Sequence, residues 1–482
     1  MNVVEGLFTL GEVLAATGGR LLRGSSDVFI SGVSTDSRQV RPGDLFVAIP
    51  GERVDGHLFV DQALERGAVA ALVARPPAVG QADAGIILVE NTVQALGRLA
   101  AHYRQRFDLT VIGITGSVGK TSTKDMTAGV LSQRFSVLKS EGNLNTDIGL
   151  PLTLFRLRPG HQVAVLEMAM RGLGEIAYLC RIARPRVGIV TTVGETHLEL
   201  LGSLENIARA KGELVEALPE EGVAVLNGDN PWTRAMGARF AGRTIFFGEG
   251  ENNAVRATDI RVAGTGMFYR LLTPEGETEV HLPFPGRHQV INSLAAAATG
   301  LAFGLELAEI RAGLEAFEPT GMRMEILEGG GITILNDAYN ASPTSTRAAL
   351  QTLVEMGQGR RKGAVLGGML ELGPYTEKGH AEVGAAAASA QLDYLITVGE
   401  LGRLIASGAL AAGFDPARVF DAADNGEALD RLFDLLQAGD FVLVKGSRGI
   451  HMEEIVEPLK ERFSLASRRQ PDGGNGLGIK GG

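Results

Sequence analysis

TVIGITGSVGKTSTKDM, residues 110–126, is the stretch that decides the fold. An apolar, β-branched run leads into a turn with two glycines, after which Lys120-Thr121-Ser122 opens a helical pattern. A strand, a glycine-rich turn and a helix together present backbone N–H groups and a positive helix terminus to an anion. The stretch therefore predicts a phosphate-binding loop at the edge of a parallel sheet.

The spacing of this loop is G-x-x-G-K-T, shorter than the usual P-loop, because Ile114 stands where that motif has its first glycine. Gly116 and Gly119 allow the backbone to approach phosphates, Lys120 reaches the outer phosphates, and the Thr121 hydroxyl can hold magnesium. A nicotinamide site is an alternative, but G-x-G-x-x-G is absent and Lys-Thr suits a nucleoside triphosphate better. A turn with a purely structural role is the other alternative.

Composition restricts the classes of function. The chain has 482 residues, which predicts about three domains. The net charge of −10, without a long basic run, disfavours binding to nucleic acid or to an anionic membrane. One cysteine excludes an intrachain disulfide, and the sequence shows neither a signal peptide nor a run of ~18 apolar residues. We predict a soluble cytoplasmic protein without membrane insertion.

The alternation of short apolar runs and helical patterns predicts an α/β fold with three domains. A small α/β domain comes first, followed by a central P-loop ATPase domain on a parallel sheet, with antiparallel hairpins at residues 254–285. A C-terminal Rossmann-like domain follows, and the last residues are too poor in apolar side chains to fold. The predicted boundaries are residues 1–106, 107–318 and 319–466, with a disordered tail at 467–482.

Three further residues predict a metal site and an unusual amine. Glu167 ends the strand VAVLE and His197 follows VGIVTTV, so both are expected at the carboxyl edge of the sheet, where ligands collect. A carboxylate and an imidazole can hold a divalent ion there. Lys211 lies at the centre of the apolar stripe of a helix that begins near Ser203. It either snorkels to solvent or lines the active site as a neutral amine.

The last domain carries three polar loops at predicted strand ends, NDAYNASP (336–343), LGGMLELG (366–373) and KGSRG (445–449). Each can be plain turn chemistry. Together they predict a ligand-binding edge that brings cationic and acidic groups to a bound nucleotide. These groups are Arg323, Asp337, Lys445 and Arg448.

The chain resembles the Mur ligases of peptidoglycan synthesis over residues ~30–460. The motifs that carry the resemblance are ITGSVGKTS (114–122), GNLNTDIGLPLTL (142–154), EMAMRGLGEI (167–176), VGETHLELLGSLENIARAKGE (193–213), GRHQVINSLAAAA (286–298), DAYNASP (337–343), LGGMLELG (366–373) and KGSRG (445–449). STDSRQVRPGDLFVAIPGERVDGH (34–57) resembles the uridine-nucleotide-binding N-terminal domain of that family.

This resemblance implies a reaction in which ATP phosphorylates the terminal carboxylate of a UDP-muramoyl peptide. An amine then displaces the phosphate to give an amide, ADP and phosphate. Within the family, the motifs are closest to the members that add D-alanyl-D-alanine to UDP-N-acetylmuramoyl-tripeptide. The resemblance implies ATP and two Mg²⁺ ions as cofactors, a carbamylated Lys211, and a monomeric protein.

The resemblance also assigns residues to these roles. The implied catalytic residues are Lys120, His197 and Lys211. The implied ATP-binding residues are Gly116, Ser117, Val118, Gly119, Lys120, Thr121, Ser122, Asn292, Arg323 and Asp337. The implied metal ligands are Thr121, Glu167, His197 and the modified Lys211. The implied contacts to the UDP-sugar are Ser37 and Arg38, with Asn143 and Asn145 nearer the muramoyl part.

Four positions depart from the family pattern, namely Thr146, Thr192, Asn336 and Gly368. Three alternatives remain at this stage. The first is the family member that adds the third residue of the stem peptide, which the absence of a DNPR motif in the last domain disfavours. The second is a folylpolyglutamate-type relative. The third is a nucleotide-gated binding protein without catalysis, which would not need the set Glu167, His197 and Lys211.

Overall fold

The computed structural model describes residues 6–51, 54–77, 84–318 and 321–467. The predicted tail lies outside the described residues from position 468 onward. The first part of the chain forms a sheet of order β2-β7-β6-β5-β4, parallel except for β2, beside a small β1–β3 ladder. The strands are β1 (Phe8–Thr9), β2 (Arg20–Arg23), β3 (Phe29–Ile30), β4 (Gly32–Ser34), β5 (Asp44–Val47), β6 (Ala70–Val73) and β7 (Gly85–Leu88). The helices are α1 (Leu10–Thr17), α2 (Val60–Glu65) and α3 (Thr92–Arg104).

The central part forms a sheet of order β16-β15-β14-β13-β12-β11-β8-β10-β9. It is parallel from β9 to β14, and β14, β15 and β16 form the predicted antiparallel hairpins. The strands are β8 (Thr110–Thr115), β9 (Val137–Lys139), β10 (Val163–Glu167), β11 (Val187–Val190), β12 (Val223–Asn227), β13 (Arg243–Gly248), β14 (Val255–Ala263), β15 (Gly266–Thr273) and β16 (Gly276–Leu282). The helices are α4 (Lys120–Leu131), α5 (Gly149–Leu154), α6 (Glu175–Ala183), α7 (Leu198–Leu201), α8 (Leu204–Glu216), α9 (Pro231–Gly237), α10 (Arg287–Ala302) and α11 (Leu307–Glu315).

The last part forms a sheet of order β21-β20-β19-β22-β18-β17-β23, parallel from β21 to β18 and antiparallel beyond it. The strands are β17 (Glu325–Gly329), β18 (Ile332–Asn336), β19 (Lys362–Gly367), β20 (Tyr394–Val398), β21 (Val419–Ala422), β22 (Phe441–Lys445) and β23 (Ala466–Ser467). The helices are α12 (Pro343–Met356), α13 (Thr376–Ser389), α14 (Gly399–Ala411), α15 (Asn425–Leu435) and α16 (Glu453–Phe463). Short 3₁₀ turns occur at Gly56–Phe59, Gly373–Tyr375, Pro416–Arg418 and Arg448–Ile450.

Local sequence explains where the helices near the predicted site begin. Helix α8 begins where predicted, near Ser203, and Ser203 caps it by accepting a hydrogen bond from the Asn206 N–H. Ser342 caps α12, and Pro343 occupies the first helical position, where its missing N–H costs nothing.

One predicted strand is wrong at its carboxyl end. The apolar pattern predicts a strand through Val193, but β11 ends at Val190. From Thr191 onward the chain bonds to the phosphate-binding loop instead of extending the ladder, since the Thr192 carbonyl accepts a hydrogen bond from the Ser117 N–H at 2.8 Å. His197 therefore lies on a loop and not directly after a strand.

Helix α10 shows how small side chains shape the central core. Most of its length is buried, and it packs against α4 and against strands β12, β13 and β14. Alanines at successive buried positions allow this close approach, which a larger side chain would prevent because protein cores are densely packed.

We expect Ala296→Leu to lower the free energy of unfolding by about 1–3 kcal/mol, because Ala296 is fully buried and overpacking strains the neighbouring helix and sheet. Chemical denaturation measures the change. Ala312→Leu on the exposed face of α11 is the control, and it should change stability by less than about 0.5 kcal/mol. An equal effect of both substitutions would contradict this account of α10.

Candidate active site

The phosphate-binding loop joins β8 to α4 and depends on two glycines. Gly116 has φ +149° and Gly119 has φ +86°, conformations that other residues rarely adopt. A Cβ at Gly116 would lie 1.9 Å from Thr191 Oγ1, and a Cβ at Gly119 would lie 2.3 Å from Asn292 Oδ1. These glycines thus allow the segment after β11 and helix α10 to approach the loop closely.

Lys120 is the first residue of α4 and lies above the loop. Its Nζ donates a hydrogen bond to the Gly116 carbonyl at 2.8 Å, so the ammonium group curls over the concave face of the turn. Burial lowers the pKa of Lys120, the carboxylate of Glu167 opposes that shift, and the guanidinium of Arg323 adds to it. Protein groups therefore compensate the positive charge of Lys120 only in part, and a bound polyanion would complete the compensation.

Glu167 forms a buried network next to Lys120. Its Oε2 accepts a hydrogen bond from Thr121 Oγ1 at 2.9 Å, and its Oε1 accepts one from Asn145 Nδ2 at 2.8 Å. Its backbone N–H donates to Ser140 Oγ at 3.2 Å. The structure thus brings the predicted ligands Thr121 and Glu167 together, and it places the Asn145 amide on the same carboxylate. Ser140, which follows β9, was missed in the sequence because a lone serine after a short strand carries no distinct signal.

His197 faces a carboxylate from the C-terminal domain. It adopts a left-handed conformation with φ +59°, and its Nδ1 lies 2.6 Å from Glu371 Oε2. The Glu199 N–H donates to the Glu371 carbonyl at 3.2 Å, which ties the two loops together. Burial lowers the pKa of His197, Glu371 opposes the shift, and both Lys120 and Lys211 add to it. Sequence reasoning missed Glu371, although its place in the loop after β19 was the available signal.

Lys211 lies on the apolar face of α8 and does not reach solvent, since the residue is 2% exposed. The snorkelling alternative is therefore excluded by its burial. In the described part of the chain it has no hydrogen-bond or ion-pair partner. Burial lowers the pKa of Lys211 far below its ordinary value, and the positive charge of Lys120 lowers it further. Burial thus favours the neutral, nucleophilic form of the amine over the ammonium.

The C-terminal loops meet where β18, β22 and β19 end side by side. Lys445 Nζ pairs with Asp337 and donates to the Asn340 carbonyl at 2.9 Å, so both predicted charged residues are engaged with each other. Gly368 departs from the family pattern for a steric reason. A Cβ there would lie 2.6 Å from the Leu401 Cβ, which leaves no room for an acidic side chain.

Two arginines flank one tyrosine at the same edge. The Arg323 guanidinium stacks 3.8 Å from the centre of the Tyr339 ring, and that of Arg448 lies 5.9 Å from it. Asn292, on α10, is buried and its Nδ2 donates to Gln289 Oε1 at 3.0 Å. The stack restricts the guanidinium of Arg323. The positive charge of this group lowers the pKa of Lys120 in the central domain.

Of the predicted contacts to the UDP-muramoyl substrate, Asn145 belongs to the Glu167 network, whereas Ser37, Arg38 and Asn143 form no hydrogen bond to that network among the described residues. Ser37 Oγ donates to Gln62 Oε1 at 2.7 Å in the N-terminal domain. Arg38 forms an ion pair with Asp36 and holds the pKa of that carboxyl at about 2. Asn143 is exposed in the turn after β9.

The remaining departures from the family pattern are accommodated by local hydrogen bonds. Thr192 Oγ1 accepts from Asn230 Nδ2 at 3.1 Å, and Asn336 Nδ2 donates to Glu325 Oε2 at 2.9 Å. Thr146 Oγ1 accepts from the Gly149 N–H at 3.4 Å near the start of α5. None of the three leaves an unpaired charge.

The donor set fits a hard divalent cation. A hydroxyl and a carboxylate, Thr121 and Glu167, already lie within hydrogen-bond distance, and Mg²⁺ prefers such oxygen ligands. The described residues contain no group of three or more His, Cys, Asp or Glu side chains placed to hold a metal. Protein groups alone thus do not form a closed cage, as is usual where Mg²⁺ is shared with phosphates and water.

The fold and the site define a P-loop nucleotide-binding α/β protein with three sheets. Three models of one family match the chain: "Mur ligase family, catalytic domain" at residues 29–104, "Mur ligase middle domain" at residues 114–300 and "Mur ligase, glutamate ligase domain" at residues 322–448. The chain belongs to the Mur ligase family. The predicted family, α/β fold and ligase class are thereby confirmed.

Similar proteins cover nearly the whole chain. A protein of Bacillus subtilis (strain 168) named UDP-N-acetylmuramoyl-tripeptide–D-alanyl-D-alanine ligase is 40% identical, over 90% of this chain and 93% of the relative. One of the same name from Escherichia coli (strain K12) is 40% identical over 94% and 98%. A crystal structure of MurF from Acinetobacter baumannii has a TM-score of 0.86 at 35% identity, covering 94% and 99%. MurF ligase from Thermotoga maritima in complex with ADP has a TM-score of 0.80 at 31% identity, covering 89% and 97%.

No helix in the described part of the chain is long and apolar enough to span a membrane.

The buried amine of Lys211 generates a pH-dependent stability. Because its pKa is lower in the folded than in the unfolded state, the unfolded state binds more protons between those two pKa values. The free energy of unfolding must therefore rise with pH in that window, and the cost of burying the charge is fully present below it. Lys211→Met removes this contribution, so we expect it to raise stability at about pH 7 and to flatten the rise toward about pH 9.

Urea denaturation of the metal-free protein in carbon-dioxide-free buffer measures both effects. Lys378→Met, at an exposed position, is the matched control and should leave the pH dependence unchanged. Identical pH profiles for the wild type and Lys211→Met would show that Lys211 keeps its charge in the folded protein.

Proposed function

We propose that this chain joins D-alanyl-D-alanine to UDP-N-acetylmuramoyl-tripeptide with consumption of ATP. The observation that carries the proposal is the convergence of Lys120, Lys211 and His197 with the Thr121–Glu167 pair at one sheet edge. Phosphoryl transfer requires such charge compensation and alignment more than covalent participation of the protein. The names of the relatives agree with the predicted activity.

The reaction follows from the groups present. The terminal carboxylate of the peptide attacks the γ-phosphorus of ATP, the bond to the β-phosphate oxygen breaks, and ADP leaves. The amine of D-alanyl-D-alanine then attacks the acyl phosphate, phosphate departs, and the amine loses its proton to give the amide. Lys120 is proposed to neutralise the charge of the transferring phosphoryl group, and the position of its ammonium over the Gly116 carbonyl supports this role.

Thr121 and Glu167 are proposed to hold one Mg²⁺, and His197 with a carbamylated Lys211 a second. When bound, these ions supply charge stabilisation and orient the phosphates. Carbamylation joins the Lys211 amine to carbon dioxide and releases a proton, and it requires the neutral amine that burial favours here. The product carries a carboxylate in the neighbourhood of the Lys120 ammonium and the His197 imidazole.

The other predicted contacts are proposed on the same basis. Residues Gly116 to Ser122 bind the ATP phosphates, while Asn292, Arg323 and Asp337 surround the nucleotide between the central and C-terminal domains. Contacts to the UDP-muramoyl substrate are proposed for Ser37, Arg38, Asn143 and Asn145. The protein is proposed to act as a monomer in the cytoplasm, and the domain boundaries are proposed near residues 106 and 318.

Incubation of the purified protein with ATP, Mg²⁺, UDP-N-acetylmuramoyl-tripeptide and D-alanyl-D-alanine tests the proposal. We expect ADP and phosphate in equal amounts, together with a UDP-muramoyl-pentapeptide detected by mass spectrometry. A parallel reaction with UDP-muramoyl-dipeptide and diaminopimelate is the control. Product in that control alone would assign the chain to third-residue addition, and the absence of ADP release and of amide in both would overturn the ligase proposal.

Lys211→Ala tests the proposed carbamate. We expect turnover to fall by about 10²-fold or more, because loss of a metal-supporting group has effects of this order. A short carboxylic acid such as formate or acetate should restore part of the activity by supplying the missing carboxylate. Lys378→Ala is the control variant and should retain full turnover. Full activity of Lys211→Ala without added acid would remove Lys211 from the active site.

A further inference from the structure

A cleft rich in arginine lies at the opposite edge of the central sheet. It has a volume of about 770 Å³ and is formed by the end of α3, the end of α6 and the segment after α8. Four of its residues are arginines, Arg104, Arg181, Arg184 and Arg186, and its lining includes no aspartate or glutamate. We call it the arginine cleft.

The topology separates the arginine cleft from the nucleotide loop. Arg186 directly precedes β11, and Arg104 donates to the Leu109 carbonyl just before β8, so both lie at the amino ends of parallel strands. The nucleotide loop follows the carboxyl end of β8, which has six residues. At about 3.3 Å per residue the two edges are about 20 Å apart, so the cleft is not part of the proposed active site.

The arginines in the cleft contact neutral groups, and the Arg181 guanidinium lies 5.6 Å from the centre of the Tyr178 ring. In the described ranges, none of the four guanidinium groups forms an ion pair with a carboxylate. Arg104 donates to the carbonyls of Ala183, Phe107 and Leu109, which are neutral acceptors. Burial lowers the pKa of Arg104 and the adjacent Arg184 lowers it further, while Asp108 opposes them. The cleft is thus a local concentration of positive charge on a protein whose net charge is −10.

The backbone holds these arginines in place. Arg184 ends α6 in a left-handed conformation, with its N–H donating to the Cys180 carbonyl at 2.7 Å. The backbone of Arg186 is fixed by bonds to Val111 and Val223 at 2.9 and 3.0 Å. A site whose backbone is already ordered loses less entropy when a ligand binds.

We propose that the arginine cleft binds a soluble small molecule that carries phosphate groups. Guanidinium groups match phosphate oxygens with paired hydrogen bonds, and the volume is that of a small-molecule site. Ala177, Leu218 and Pro219 provide an apolar surface for the rest of such a ligand. Arg104 belongs to α3, and the other three arginines belong to the central domain. A ligand bound to all four would therefore contact both α3 and the central domain.

Calorimetric titration with inorganic pyrophosphate, in low salt and with ADP saturating the nucleotide loop, tests this site. We expect one binding event per chain, with an affinity that Arg184→Gln/Arg186→Gln lowers by about tenfold or more, since each paired contact to an anion is strong. Arg239→Gln/Arg243→Gln removes the same charge from another exposed part of the central domain and should bind like the wild type. Both variants should keep the wild-type melting temperature and turnover.

Equal affinity of the wild type and Arg184→Gln/Arg186→Gln, or no binding to the wild type, would overturn the proposal. Sedimentation with phosphatidylglycerol vesicles examines a lipid headgroup as the source of phosphate. The proposal predicts that the wild type and Arg184→Gln/Arg186→Gln bind these vesicles to the same extent. Vesicle binding that only the arginine-cleft variant loses, without pyrophosphate binding, would also contradict a site for soluble molecules.

Discussion

Two lysines that approach each other away from bulk water are the constraint on which the site depends. Burial lowers the pKa of both Lys120 and Lys211, and the positive charge of Lys120 lowers the pKa of Lys211 further. Full desolvation of two unpaired ammonium groups would be very costly. The two lysines have different surroundings. Lys120 lies near Glu167 and donates to the Gly116 carbonyl, whereas Lys211 lies on the apolar face of α8. One lysine is thereby suited to bind charge and the other to react as an amine.

The fold produces this difference between the surroundings of Lys120 and Lys211 by bringing polar groups together at the edges of two sheets. Parallel strands of the central sheet direct the loop, Glu167 and the segment after β11 to the same side. The C-terminal sheet has an equivalent edge, from which Glu371 reaches His197 and Arg323 influences Lys120. Ligands of open α/β sheets collect at such edges because loops diverge there and helix termini face the gap. Two edges facing each other can therefore enclose a nucleotide between domains.

Sequence patterns predicted features that depend on neighbours along the chain. The strand and helix around the loop, the start of a helix near Ser203 and the position of Lys211 on the buried stripe all follow from local patterns. The end of β11 was not predictable in this way, because Thr191 and Thr192 look like strand residues and only their bonds to the loop divert them. Glu371 was missed for a similar reason, since its contact joins residues 174 positions apart in two domains. The arginine cleft combines three separated segments, and Arg104 of α3 joins the three arginines of RIARPR (181–186) only in the folded chain.

The contact between His197 and Glu371 also couples the central domain to the C-terminal domain. His197 is held in a left-handed conformation, which is uncommon for residues with a Cβ and costs of order 1–3 kcal/mol. Its loop is bonded to the Glu371 carbonyl, and Thr344 of the same domain donates to Glu195 at 2.8 Å. These bonds compensate the strain only while the two domains are together. The surroundings of the His197 imidazole therefore depend on the C-terminal domain. The central domain carries the phosphate-binding loop by itself, but the group of residues around His197 is complete only when the C-terminal domain contacts it.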